Sequence, residues 1–260
     1  MVCEFLILVL WSFQTTTRDQ PKVKVQRSAV KIANRKSRIN RMDSHRHLDD
    51  ELNELRDRVL LLGGEAERAL ERAMYALTER DSVVAREVLD HDDEVDRLEV
   101  EMDRQCIDII ALRQPAARDL RFVITVAKMA PVLERIADHA CNIARVALDL
   151  NNEPELRPNI DLQRMAECAA YMLRAALDAF TASDAAAARE VIKRDTEIDD
   201  LYNQIFHDLI EMMVFEPSTA TRDARLLFVA KHMERIGDYV TDICELTVYM
   251  AEAAIIKHTN

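Results

Sequence analysis

The sequence has 260 residues with only three glycines, six prolines and 5% aromatics, a composition that builds long helices and argues against turn-rich sheets. Its net charge of -12 repels nucleic acid phosphates and attracts cations or basic protein surfaces, so no direct nucleic acid binding is expected. Five scattered cysteines (Cys3, Cys106, Cys141, Cys168 and Cys244), none in a C-x-x-C, suggest neither a disulfide framework nor a thiolate zinc site; they read as small core residues in a reducing cytoplasm.

In chain order, residues 1–41 come first and are basic: nine Lys and Arg stand against Glu4 and Asp19, so the rest of the chain is more acidic than the whole. The apolar run over residues 1–13 is too short to span a bilayer and carries Glu4. A secretory signal would place basic residues before such a run, and here they follow it, so neither anchor nor export is expected. Residues 14–41 show no sustained helical or strand pattern, as a disordered tail or an upstream mis-assigned start would. Met42, directly before Asp43, Ser44 and a clean helical pattern, is the expected start; a basic arm touching lipid headgroups is the functional alternative.

From Leu48 the apolar residues Leu48, Leu52, Leu55, Val59 and Leu62 recur at helical steps and resume past Gly63-Gly64 as Ala66, Leu70, Ala73 and Leu77, one long helix with a soft spot. Asp81-Ser82 supplies a stop and a fresh N-cap. Val84, Val88, Val95, Leu98, Met102 and Ile109 then line a second helix to about Leu112, and Gln114-Pro115 separates it from a third over residues 116–150. The stretch 151–159, with Pro154 and Pro158, is the strongest boundary signal. Beyond it the order repeats: a helix over 161–180, a turn at Ser183-Asp184, a helix to about Val214, a break at Pro217-Ser218, and a last helix towards Ile256.

The two halves also share residues. Ala85-Arg86-Glu87-Val88 matches Ala188-Arg189-Glu190-Val191 at an offset of 103, which carries Asp92, Glu94, Asp96 and Leu98 onto Asp195, Glu197, Asp199 and Leu201. Glu134-Arg135-Ile136-x-Asp138 matches Glu234-Arg235-Ile236-x-Asp238 at an offset of 100, the change of three fitting a shorter loop. The expectation is an internal duplication: an all-α fold of two tandem pseudo-symmetric three-helix bundles, over residues 42–152 and 153–260.

Positions i, i+4 and i+8 share a helix face, so Asp92 lies with Asp96, and Glu134 with Asp138 and Asn142; the second half offers Asp195 with Asp199, and Glu234 with Asp238 and Asp242. Like charges at this spacing cost about 0.2–0.5 kcal/mol per pair, so repeated rows ask for a cation. Oxygen donors from two adjacent helices suit iron, manganese, magnesium or calcium, and zinc less closely. Acid pairs without a repeat, such as Asp50 with Glu54, Glu67 with Glu71, and Glu99 with Asp103, read as solvated faces. His139 and His232 have no repeated counterpart and read as packing or surface residues. Pro131 should kink its helix or free a carbonyl, while Arg118-Asp119 and Arg222-Asp223 read equally as salt-bridged helix ends or as a partner-binding edge.

From about Met42 to its C-terminus the chain resembles the PhoU family, the phosphate-transport and phosphate-signalling accessory proteins of bacteria. The likeness rests on the duplicated acidic motif, on Arg118-Asp119-Leu120-Arg121 after the loop, and on Leu133-Glu134-Arg135-Ile136-Ala137-Asp138 with Met233-Glu234-Arg235-Ile236-Gly237-Asp238. It implies two three-helix bundles whose acidic motifs hold multinuclear clusters, often of iron or zinc. It also implies a regulator, not a catalyst. Such a protein links the high-affinity phosphate ABC transporter, through its ATPase subunit, to a sensor histidine kinase. It keeps the phosphate-starvation regulon off and restrains uptake when phosphate is plentiful. A homodimer, a cytoplasmic location, and membrane contact only through partners come with the resemblance. Asn142 departs from the acid found at Asp242, Ala137 stands where the second half has Gly237, and residues 1–41 have no counterpart. The alternative is a carboxylate-rich metal-binding or metal-storage protein without a signalling role. A di-metal oxidase would need a Glu-x-x-His on each of two helices, and the sequence has none.

Overall fold

The computed structural model describes the backbone of residues 21–153 and 161–256, and the side chains of 47–153 and 161–256. The chain divides into two units, Met1–His47 and Leu48–Asn260. In the first, the described backbone is helical from Pro21. This differs from the sequence pattern, which places the first helix at Leu48. Its Lys, Arg, Gln and Ala are compatible with helix by propensity even without an apolar stripe. The reading of residues 1–13 falls outside the described residues, as do residues 154–159 of the expected linker.

The helices are α1 (Pro21–Thr78), α2 (Ser82–Asp90), α3 (Asp92–Arg113), α4 (Ala117–Asn151), α5 (Leu162–Ala182), α6 (Ala185–Phe215) and α7 (Ala220–Glu252), with a 3-10 turn at Pro217–Thr219 before the last. No strand occurs among the described residues. Asp81 starts α2 by accepting from the Val83 and Val84 N–H groups, and Asp184 starts α6 by accepting from Ala186 and Ala187. Each cap is worth about 1 kcal/mol. The residues before them, Arg80 and Ser183, both sit at positive φ, so the two halves turn the corner alike. Arg80 then reaches across to the carbonyls of Leu150 and Asn151, satisfying the exposed end of α4.

Two boundaries depart from the sequence pattern. The expected second helix is broken at His91, whose N–H turns back to the Val88 carbonyl, and α3 restarts with Asp92, Asp93 and Glu94 in its first turn, where the helix dipole favours acids. Its counterpart α6 runs unbroken. The last helix stops at Glu252 because Ala253 takes the left-handed conformation. Pro131 lies inside an otherwise continuous α4.

Within Leu48–Asn260, α4 and α7 pack antiparallel: His139 meets His232, Arg135 lies over the Tyr239 ring, and Arg225 pairs with Asp149. Alongside them α1 meets α5, where Arg174 joins Glu67 at 2.7 Å. Gly63 lies at this contact. A Cβ there would stand 2.6 Å from Leu177 Cδ1, so the expected soft spot is a close helix contact, while Gly64 faces open space. These four helices bury Leu55, Leu62, Leu70, Met129, Leu133, Ile143 and Met172, at about 1.5–3 kcal/mol per large apolar side chain. On the outside, α2 and α3 lie against α4, and α6 lies against α7. Each outer helix thus brings its carboxylates to the flank of a long central one.

Candidate functional site

In the first half, Asp92 opens α3 just after the break at His91. Its carboxylate accepts from the Cys141 thiol at 3.3 Å and stands 3.9 Å from Arg145, both on α4. Burial raises the Asp96 pKa, reinforced by Asp92 and Asp138, and burial followed by the charge of Asp92 raises that of Asp138. Glu134 is pushed up to about 7 by burial and then by Asp138, Asp96 and Glu99. The two helices therefore bring Asp92, Asp96, Glu134 and Asp138 into one acidic field. Asn142 continues the row but accepts from Arg145 at 2.7 Å.

Glu99 belongs to this field and is a correction to the sequence reading, which placed it on a solvated face. It is half-buried, with its pKa raised by burial, Asp103 and Asp96. Its spacing from Asp92 and Asp96, at i+7 and i+3, is the signal that would have found it. Glu67 and Glu71 are likewise not merely solvated, since both pair with Arg174.

The second half repeats the frame with different neighbours. Asp195 is buried, its carboxylate against the α7 backbone at Gly237, where a Cβ would stand 2.9 Å from Oδ1. Asp199 is exposed on α6 and raises the pKa of Asp238, behind burial and Glu234. Asp242 is raised by burial, then by Glu245 and Asp238. Here cations intervene: Lys231 approaches Glu234 to 2.6 Å, close but off the hydrogen-bond direction, and Arg235 donates to Asp238 at 3.1 Å. Lys231 also sits over the Tyr202 ring, 5.1 Å from its centroid.

Between the rows, His139 and His232 place their Nδ1 atoms 2.8 Å apart, and His139 also packs on Tyr239. They join α4 to α7. One nitrogen donates and the other accepts, so the accepting ring is neutral, and burial lowers the pKa of both. At the helix starts, Asp223 is fully buried and accepts from the Thr219 hydroxyl at 2.5 Å, a structural end. Arg118 and Asp119 instead line an open cleft of about 380 Å³ with Arg56 and Phe122.

As placed, no three His, Cys, Asp or Glu side chains among the described residues converge on one point that could hold an ion. The donor chemistry nevertheless fits a hard cation: both rows are oxygen-rich, and the carboxyls in each raise one another's proton affinity. A bound cation removes that repulsion.

Comparison with known proteins gives a consistent result. The PhoU domain family model matches twice, over residues 59–147 and 162–247. The phosphate-specific transport system accessory protein PhoU homolog of Aquifex aeolicus is 36% identical over 210 residues, spanning 81% of this chain and 95% of that protein. PhoU of Escherichia coli is 34% identical over 210 residues, spanning 81% and 87%. Among solved structures, PhoU from Pseudomonas aeruginosa superposes with a TM-score of 0.76 at 34% identity, covering 79% of this chain and 99% of that one. The phosphate transport system regulatory protein PhoU from Streptococcus pneumoniae gives 0.76 at 28%, covering 81% and 99%.

Proposed function

This chain belongs to the PhoU family, and from that membership we propose that it is an accessory regulator of phosphate transport, acting in the cytoplasm. In this reading it couples the phosphate ABC transporter, through its ATPase subunit, to a sensor histidine kinase. It holds the phosphate-starvation response off and restrains uptake when phosphate is plentiful. The observation that carries the proposal is the double family match falling on two halves, each of which sets carboxylates on facing helices. No described helix is long and apolar enough to cross a membrane. Deleting the gene is expected to derepress phosphate-starvation genes and raise phosphate uptake in phosphate-rich medium. Unchanged expression and uptake overturn the proposal.

Metal binding is part of the same reading. Asp92, Asp96, Glu134 and Asp138, with the Asn142 carbonyl, and Asp195, Asp199, Glu234, Asp238 and Asp242 would hold iron, manganese, magnesium or zinc, in one or more ions per row. The metal would supply positive charge that these side chains lack among themselves. Elemental analysis of protein purified without chelator, set against Asp138→Ala with Asp238→Ala, should show metal lost from the double variant. Equal content argues for carboxylates without a metal role. Metal retention together with an unaffected phosphate response would favour a storage protein.

A further inference from the structure

The outer face of α6 carries a stripe that its counterpart in the first half lacks. Tyr202, Phe206, Ile210 and Val214 follow one another at four-residue steps, and Phe206, Ile210 and Val214 are all exposed, Val214 to 77%. Tyr202 and Phe206 lie with their rings 6.3 Å apart. Phe228 on α7 is 63% exposed and sits three residues before Lys231, which reaches over Tyr202, so it extends the same surface across the helix pair. In the first half the equivalent positions are Glu99, Asp103, Ile107, Ala111 and Lys128. Duplication alone therefore does not account for the aromatic face.

The rim decides what the face takes. Asp200 and Glu211 are exposed towards its solvent edge, and no cation among the described residues pairs with either. Asp199 adds an exposed acid beside Tyr202, and Lys231 is held by Glu234. A second copy docking by two-fold symmetry would set one acidic rim against the other. An anionic lipid surface would be repelled likewise.

We propose that the face formed by Tyr202, Phe206, Ile210, Val214 and Phe228 is the docking site for an amphipathic helix of a protein partner, with large apolar residues flanked by Lys or Arg. The inference rests on the regulatory reading in supposing a protein partner, but it stands whether or not the rows hold metal. The apolar stripe buries against α6 while the basic flanks meet Asp200 and Glu211.

The test uses the full chain and fluorescein-labelled synthetic amphipathic helices sharing one Leu/Phe stripe, flanked in one by Lys and Arg and in the other by Glu. Anisotropy titration should show binding of the basic helix, at least about tenfold weaker binding of the acidic one, and weakening with added salt. Phe206→Asp with Phe228→Lys installs the residue types of the first half. It should lower affinity for the basic helix at least about tenfold with an unchanged circular dichroism melt, while Ile107→Asp leaves it intact. Ile210→Ser gives a second reading on the stripe should the double variant fail to fold. Equal affinity for the two helices, or unchanged binding in both stripe variants, overturns the proposal. So does a sedimenting dimer that the stripe variants abolish, which would make a second copy the occupant. Gene deletion tests the regulatory role and peptide binding tests this face, so either can fail alone.

Discussion

The two carboxylate rows share a backbone frame and differ in what surrounds it. At the upper end of the first row stand Glu99, Pro131 and Glu134; the equivalent positions of the second are Tyr202, Lys231 and Glu234, and Lys231 pairs with Glu234. At the lower end the order reverses: Asn142 and Arg145 in the first row face Asp242 and Glu245 in the second. Repulsion is therefore concentrated around Glu134 in one half and around Asp242 in the other. A duplicated motif has kept its carboxylate spacing while the charge centre has moved along the helix pair. The two rows should bind cations with different affinities, at different places along their length.

The largest expected effect bears on whether the rows act separately. Asp96→Asn with Asp138→Asn should remove about half of the bound metal, and Asp199→Asn with Asp238→Asn about the other half, because each pair takes two oxygen donors from one row only. Elemental analysis of the two variants decides it. Complete loss from either one would mean a single shared site and would break the comparison.

Next in size is a pair of substitutions with opposite signs. Glu134 holds its proton to about pH 7 in the folded protein, above the ordinary carboxylate value of 4.5, so the folded state binds more protons than the unfolded chain between those values. The contribution of Glu134 to the stability of metal-free protein is accordingly lost as pH rises from about 4.5 to about 7. With chelator at pH 8, Glu134→Gln should stabilise by on the order of 1 kcal/mol after solvent screening, the gain vanishing below about pH 4.5. Glu234→Gln should destabilise by about 0.5–1 kcal/mol, since Lys231 loses its partner. Thermal melts of both variants, with chelator, read the signs; the same sign in both would remove the proposed asymmetry.

Most of the helical frame was legible in the sequence because it depends on local and periodic signals. The stripe from Leu55 to Leu77, the caps at Asp81 and Asp184, and the break at Pro217 all announce themselves within a few residues. The interruption at His91 was not legible, because residues 84–109 keep their apolar spacing on both sides of it. Nor was the work of Gly63, which follows from Leu177, over a hundred positions away. The acidic rows were visible as repeats, but their partners were not: Lys231, Arg145 and Cys141 act across space or from outside the motif, and Glu99 was hidden by having Tyr202 as its counterpart. Aligning the halves for differences as well as identities would have exposed Glu99 and Lys231.

The glycine of the second row offers a smaller test of the same asymmetry. Gly237→Ala gains about 1 kcal/mol of helix propensity, but its methyl meets the Asp195 carboxylate and Ile198, an overpacking of about 1–3 kcal/mol. A net loss of up to about 2 kcal/mol is expected in denaturant titration. The reciprocal Ala137→Gly should cost about 1 kcal/mol through propensity and about 0.8 kcal/mol more for the buried methyl it removes. A Gly237→Ala protein as stable as the parent would show that Asp195 can adopt the more exposed placing of Asp92.

The smallest effect is expected at the one position where the rows differ in a candidate ligand. Asn142→Asp converts the hydrogen bond from Arg145 into an exposed ion pair, worth about 0.3–0.5 kcal/mol. The same change places a second negative charge four residues after Asp138, which costs about 0.2–0.5 kcal/mol on a helix. The terms cancel, so the metal-free melt should barely move. Metal affinity should rise only modestly, because Arg145 remains beside the new carboxylate, whereas Asp242 has Glu245 as its neighbour. Adding Arg145→Glu to Asn142→Asp should then destabilise the metal-free protein and shift the metal titration towards tighter binding. If Asn142→Asp alone gives the whole shift, the single missing charge, and not the moved charge centre, is what separates the two rows.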